Sequence, residues 1–308
     1  MDKQLLAKKR VLIVGDSMLD KYWFGDANRI SPEAPVPVVR IVRSDVRLGG
    51  AANVALNVAS LGVRTTLMGV VGNDENGAKL QELLEKAGIS SRLSIDADRK
   101  TILKLRIVAR QQQLVRIDFE EHPSNEVLSG LLTDFSEVLG DYDVLVLSDY
   151  GKGGLDYIQS MIAMAREKGI PVLVDPKGDD YDRYAGATLI TPNRAELAQV
   201  TGQWTGEEDL ENRAQALRER LGLQALLLTR SEEGMTLFTQ DGALTVPAQA
   251  REVFDVSGAG DTVIAVTAAM IAAGLPLDQT VRIANRAGGI VVGKLGTASV
   301  SYGELFGE

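Results

Sequence analysis

An aspartate in the first turn of an apolar helix, preceded by small residues, is equipped to move a phosphoryl group, and the chain carries that combination as DVSGAGDT at 255–262. Gly258, Ala259 and Gly260 put small residues where backbone must come close to a ligand. The helix start behind them presents unpaired N–H groups to an anion. Asp261 sits in the same turn, where its carboxylate can take the proton of an attacking hydroxyl while the amides hold the phosphoryl oxygens. The pattern is equally that of a plain helix cap. A second segment, GGAANVA at 49–55, joins a strand-like stretch to a helix. Gly49 and Gly50 let a bulky polar ligand approach the backbone, and Asn53 offers a donor and an acceptor to hydroxyl groups; a tightly packed helix start needs the same residues. In the third, TPNRAE at 191–196, Asn193 and Glu196 lie one helical turn apart. Such a pair can hold magnesium through water beside nucleotide phosphates, or simply cap a helix.

Rival chemistries fail on inspection. A dinucleotide fingerprint needs glycine where Val263 stands, and no G-x-x-x-x-G-K-[ST] loop occurs. The nucleophile elbow G-x-S-x-G breaks at Leu19, after Gly15 and Ser17. The single histidine, His122, lies beside two glutamates and a proline and reads as a solvated loop residue; a histidine triad or histidine-rich metal site is excluded by count. With no cysteine there is no disulfide, thiolate zinc site or cysteine nucleophile.

A net charge of -9 over 308 residues opposes standing attraction to nucleic acid or an anionic membrane, so an anionic ligand requires a local basic pocket. The start MDKQLLAKKR lacks the apolar core of a signal peptide, and the longest apolar stretches, such as 263–273, are too short to span a bilayer. The expectation is a cytoplasmic protein without nucleic-acid or membrane partners.

The elements that must position these residues follow from periodicity. Residues 11–14 form an unbroken apolar run ending in Gly15-Asp16, the mark of a parallel strand covered on both faces. Helix 51–61, strand 65–71 and helix 75–87 follow, then strand 144–147, helix 155–168 and strands 172–174 and 188–191. Helix 207–221 has acids in its first turn and arginines in its last. Strands dominate 225–253, and helices 259–273 and 277–292 close the chain. Two stretches, 35–42 and 101–119, are β-like without an intervening helix and suggest a small separate sheet over the carboxyl ends of the main strands, or an ordinary edge extension.

Taken in order, GGAANVA, the N-x-x-E of Asn193 and Glu196, and DVSGAGDT resemble the three motifs of the ribokinase (phosphofructokinase-B) family of carbohydrate kinases, and the resemblance spans the chain. It implies an α/β fold, a three-layer α/β/α sandwich with a mainly parallel sheet. One kinase domain would cover 1–308, with a β lid built from about 17–48 and 95–120. It further implies ATP and magnesium as cofactors, Asp261 as base, Asp16 and Asp20 in GDSMLD on sugar hydroxyls, and Asp149 as a further sugar contact. Arg194, Ala195, Thr229, Ser231 and Gly234 fall at the nucleotide, with Ala284, Asn285 and Gly288 near the adenine. The family often has glycine at Ser231, which puts close approach there in question. A monovalent cation near Asp255 is a further implication.

RISPEAPVP, LSDYGKG, DPKG and VVGKLGT resemble the heptose 7-phosphate kinase branch, which implies transfer to the anomeric hydroxyl in lipopolysaccharide inner-core synthesis, often with a fused nucleotidyltransferase. A phosphorylated sugar accounts for basic residues in an acidic chain. Lys104 and Arg106 alternate with Leu103 and Leu105 and so share a face, while Lys152 and Lys177 follow strands. A homodimer through the open lid edge is expected. The alternatives are a family kinase for another sugar and a sensing module without catalysis, which an intact Asp261 argues against.

Overall fold

Alternating burial in one short strand sets the architecture. In β1 (Arg10–Gly15), Val11 and Ile13 join one apolar cluster while Leu12 and Val14 join another on the opposite face. Burying such side chains contributes roughly 1.5–3 kcal/mol each, so a strand of this kind is stable only between two helical layers. The computed structural model describes residues 1–110, 112–249 and 253–307. Gln111, and residues 250–252 of the strand-rich run expected at 225–253, lie outside the described residues.

The strands are β1, β2 (Ser17–Ile30), β3 (Pro37–Gly50), β4 (Arg64–Gly72), β5 (Ser90–Asp96), β6 (Ile102–Ala109), β7 (Gln112–Phe119), β8 (Val144–Ser148), β9 (Val172–Asp175), β10 (Leu189–Ile190), β11 (Ala225–Thr229), β12 (Met235–Thr239) and β13 (Gly242–Val246). Nine form a large sheet in the order β13-β12-β11-β10-β9-β8-β1-β4-β5, parallel except at β12 and β13. The helices are α1 (Lys3–Leu6), α2 (Ala51–Ser60), α3 (Glu75–Lys86), α4 (Asn125–Val138), α5 (Ile158–Glu167), α6 (Arg194–Thr201), α7 (Gly206–Arg220), α8 (Ala259–Ala272), α9 (Leu277–Val291) and α10 (Tyr302–Phe306). α2, α3, α8 and α9 cover one face; α4, α5, α6 and α7 cover the other. The result is the three-layer α/β/α arrangement with a smaller second sheet. No described helix is long and apolar enough to cross a membrane.

The second sheet, ordered β3-β2-β6-β7, leaves the large sheet at Asp16 and returns at Gly50. Register makes its two faces opposite in character. Leu48, Leu19, Leu103 and Phe119 align across the four strands, while the next row holds Arg47, Asp20, Lys104 and Asp118. That second row alternates in sign, the arrangement that cross-strand neighbours favour.

Several boundaries differ from expectation. Residues 17–30 form a full strand, and β3 starts at Pro37 rather than 35. Residues 95 and 96, expected in the lid, end the edge strand β5 of the large sheet. α4 was not anticipated although Leu128, Leu131, Phe135 and Val138 keep helical spacing, because Gly130, Thr133 and Ser136 dilute its propensity; Ser124 caps it. α5 begins at Ile158, three residues later than expected, after a turn-rich stretch.

Candidate active site

α8 is buried over nearly its whole length, which fixes where its first turn points. Gly258 caps it in the left-handed conformation (φ 78°), and a Cβ there would lie 2.8 Å from the Asn53 amide nitrogen, so only glycine fits. Ala259 N–H is taken by Val256 O and Thr262 N–H by Gly258 O, leaving the helix-start amides of Gly260 and Asp261 for an outside anion. A Cβ on Gly260 would meet no protein atom within 4 Å; that residue borders open space.

Asp261 is buried, and both carboxylate oxygens accept from side chains on other elements. Asn53 Nδ2 of α2 donates at 2.7 Å, and the Tyr150 hydroxyl, just past β8, donates at 2.5 Å. Burial pushes the Asp261 carboxyl up to about 6, against the lowering effect of these two donors. Tyr150 is itself pushed well above its ordinary value by burial and by Asp261. A carboxylate near 6 is deprotonated at neutral pH yet basic enough to accept a proton. Asn57 supports the arrangement one turn along α2, donating to Asn53 O and accepting from Thr262 Oγ1 at 3.1 Å.

The other acids divide by what already binds them. Asp16 accepts from the backbone amides of Tyr150, Lys152 and Gly154 at 2.9–3.0 Å, so its carboxylate shapes the loop that carries Tyr150. Burial nevertheless raises its pKa. Asp149, expected on the sugar, accepts from Gly151 N and the Tyr184 hydroxyl, both at 2.8 Å, and lies 3.5 Å from Arg183; it is an internal brace for the same loop. Asp20 pairs with Arg106 through one oxygen. Its other oxygen would lie 2.6 Å from a Cβ on Gly49, which explains that glycine by packing. Gly50, at φ 57°, turns the chain from β3 into α2. Asp175 is half-buried, accepts from Thr191 Oγ1 at 3.0 Å and has its pKa driven well up by desolvation and by Asp261.

The basic candidates also separate. Arg106 is paired with Asp20, Lys152 with Glu120 (2.7 Å) and Lys177 with Glu196 (3.0 Å). Lys104 lies over the Tyr150 ring, 5.4 Å from its centroid, with no carboxylate at ion-pair distance among the described residues; burial lowers its pKa.

Beside the α8 start opens a cavity of about 420 Å³, bordered by Thr229, Ser231, Gly234, Ala259, Gly260, Asn285 and Gly288. Val253 and Val256 are exposed at its border and Phe254 lies exposed between them, an apolar patch of the kind a ligand covers. Ser231 has φ 53°, the left-handed region that favours glycine, so serine there is strained rather than excluded. Ala284 is not at the cavity but in the apolar core behind it. Arg194 is paired with Glu233, and Ala195 is exposed on α6. Asn193 and Glu196 form a reciprocal capping box at the start of α6, each bond 3.0 Å. Their oxygens suit a hard cation reached through water, each retaining a lone pair. At Asp255, the expected place of a monovalent cation, the carboxylate oxygens accept from Ser257 N and Gly296 N at 2.9 Å, and Arg47 donates to the carbonyls of Leu295 and Thr297.

Tyr150, Asn57 and Asp175 were not singled out from the sequence. Tyr150 and Asp175 lie within LSDYGKG and DPKG, but both act on Asp261, which is 111 residues from Tyr150 and far along the chain from Asp175.

Comparison with known proteins agrees with this geometry. The pfkB family carbohydrate kinase profile matches residues 8–302. A D-beta-D-heptose 7-phosphate kinase of Bordetella bronchiseptica is 56% identical over 303 residues, covering 98% of this chain and 97% of that protein. The bifunctional protein HldE of Methylococcus capsulatus is 55% identical over 297 residues, and there the match spans 63% of the longer protein. Among solved structures, phosphofructokinase-2 of Escherichia coli in complex with potassium superposes with a TM-score of 0.80 at 19% identity, covering 96% of each chain. Arabidopsis thaliana ribokinase complexed with ribose and ATP gives 0.76 at 20%, covering 96% of this chain and 97% of that one. With the profile spanning almost every residue, the chain belongs to the pfkB family of carbohydrate kinases.

Proposed function

We propose that the protein transfers the γ-phosphoryl group of ATP to the anomeric hydroxyl of D-glycero-β-D-manno-heptose 7-phosphate, giving the 1,7-bisphosphate for the lipopolysaccharide inner core. The observation that carries this reading is Asp261, held at the mouth of α8 by Asn53 and Tyr150 beside an apolar cavity of nucleotide size. The substrate comes from the relatives that match at 55–56% identity over nearly the whole chain. As the anomeric oxygen bonds to the γ-phosphorus, its proton passes to Asp261 and the bond to the departing ADP oxygen breaks. The amides of Gly260 and Asp261 hold the equatorial oxygens. Asn193 and Glu196 would hold magnesium through water, and the ion would supply neutralisation of the charge that develops on the transferring phosphate.

The polar face of the small sheet serves as the lid over the sugar, and Asp20 takes a sugar hydroxyl with its second oxygen. Of the four basic residues, Lys104 can offer its charge to a phosphate without first releasing a carboxylate. Because ATP is the donor, the reaction belongs in the cytoplasm. β7 is exposed at every position from Gln112 to Phe119, an open edge suited to pairing with a second copy; a monomer mass in light scattering contradicts that assembly. A nucleotidyltransferase acts later in the same synthesis, and the match to the bifunctional HldE relative leaves about a third of that longer protein for a second activity.

A panel of heptose 7-phosphate, unphosphorylated heptose, fructose 6-phosphate and ribose tests the substrate. Phosphate transfer to C1 of heptose 7-phosphate, read by phosphorus NMR, with at least a hundredfold higher kcat/KM than the others, is expected. Comparable turnover of fructose 6-phosphate or ribose overturns it.

A further inference from the structure

Arg47 lies in the alternating charged row of the small sheet, yet its guanidinium reaches the far side of the site. Nε and Nη2 bond Asp45 at 3.0 Å, and the cation lies 5.3 Å from the Tyr22 ring centroid, so the side chain is held from behind. Nη1 donates to two main-chain carbonyls of the segment after α9, Leu295 O at 2.5 Å and Thr297 O at 3.1 Å. Between those carbonyls, Gly296 N–H donates to Asp255 Oδ2, and Asp255 Oδ1 accepts from Ser257 N, each at 2.9 Å. Thr297 Cγ2 stands 3.4 Å from the position of a Cβ on Gly258. A continuous path of hydrogen bonds therefore runs from β3 through 295–297 into the 255–258 turn that caps α8.

We propose that Arg47 is a positioning residue through which the seated small sheet shapes the anion cradle beside Asp261. A cation bonded to carbonyls is a charge-assisted contact, roughly twice as strong as a neutral one. It forms only while β3 rests against 295–297. When the sheet lifts, the two carbonyls lose their donor and the 255–258 turn is held from one side only. Phosphoryl transfer is thereby confined to the covered site, where water is excluded.

The test uses the full chain and rests on turnover of heptose 7-phosphate, established first with the wild type, so failure of the substrate reading is seen separately. Arg47→Met is expected to lower kcat about 10- to 100-fold, the scale of a misplaced catalytic group, while KM for the sugar phosphate stays within threefold. Arg47→Lys, which keeps a donor for the carbonyls, should recover at least a third of the lost activity on a logarithmic scale. Hydrogen exchange followed by mass spectrometry gives a readout independent of substrate: peptides spanning 253–262 should exchange faster in Arg47→Met, with those of β8 and β9 unchanged. Should Arg47→Met fold poorly, Asp45→Asn, which only loosens the orientation of the guanidinium, should show the same pattern at smaller size. Wild-type kcat in Arg47→Met, or unchanged exchange at 253–262, overturns the proposal. A rise in KM at constant kcat also overturns it, since that assigns Arg47 to substrate binding.

Discussion

Two carboxylates six residues apart open and close the DVSGAGD segment, and their surroundings drive them in opposite directions. Asp261 is enclosed by side chains, and burial outweighs the donors Asn53 and Tyr150, so its pKa rises to about 6. Asp255 is half-buried; burial pushes it upward too, but the Ser257 and Gly296 amides and the field of Arg106 prevail, and its pKa falls. In the proposed mechanism one region keeps a proton acceptor basic, and the other keeps a turn in shape. The difference shows that a raised pKa costs stability where chemistry occurs, while a lowered one contributes stability where geometry is held.

The largest effect that can break this contrast is at the proposed base. Asp261→Asn should lower kcat by about 10²–10⁴-fold, the span expected for losing a general base. The same variant should melt above wild type at pH 7.5, because a buried charge that costs on the order of 3 kcal/mol is gone. Its advantage should shrink as the pH falls through about 6, where wild-type Asp261 protonates. Calorimetry across pH 4.5–8 checks the sign; an unchanged or lower melting temperature at pH 7.5 contradicts it.

Asp255→Asn comes next, with kcat down roughly 10-fold through a displaced turn and stability moving the other way. A depressed carboxylate stabilises above its unfolded pKa of 3.8, so this variant should melt below wild type at neutral pH. The gap should close as the pH drops below 3.8 and wild-type Asp255 protonates. A constant gap down to that range breaks the argument.

A smaller effect sharpens the Asp261 side. The wild-type profile of kcat/KM against pH should show an acid limb near 6, with activity lost below it as Asp261 takes a proton. Tyr150→Phe removes a donor that lowers Asp261, so the limb should move to higher pH and kcat should fall about threefold to tenfold. Smallest of all, Lys104→Met removes a distant positive charge that also lowers Asp261, and should move the limb the same way by less than Tyr150→Phe does. A movement to lower pH in either variant shows that the limb belongs to another group.

Much of this was legible along the chain. The DVSGAGDT helix start, the doubly buried β1 and the alternation of strand and helix are local patterns, because backbone periodicity and capping act over a few residues. The partners of Asp261 were not, since Asn53 lies 208 residues away and Tyr150 lies 111 away. The sequence suggested sugar contacts for Asp16 and Asp149 but not the backbone amides of the 150–154 loop that both carboxylates accept from, because a buried carboxylate must be paired and its donors come from the fold. Arg47 carried no signal at all, being one arginine among several on β3.

By itself the amino-acid order determined which residues could do chemistry and which elements would carry them, since residue type and spacing are enough to set helix starts and strand faces. Only the folded chain decided which acid is free to act and which is structural. That choice depends on burial and on donors contributed by distant segments, and no local pattern encodes either.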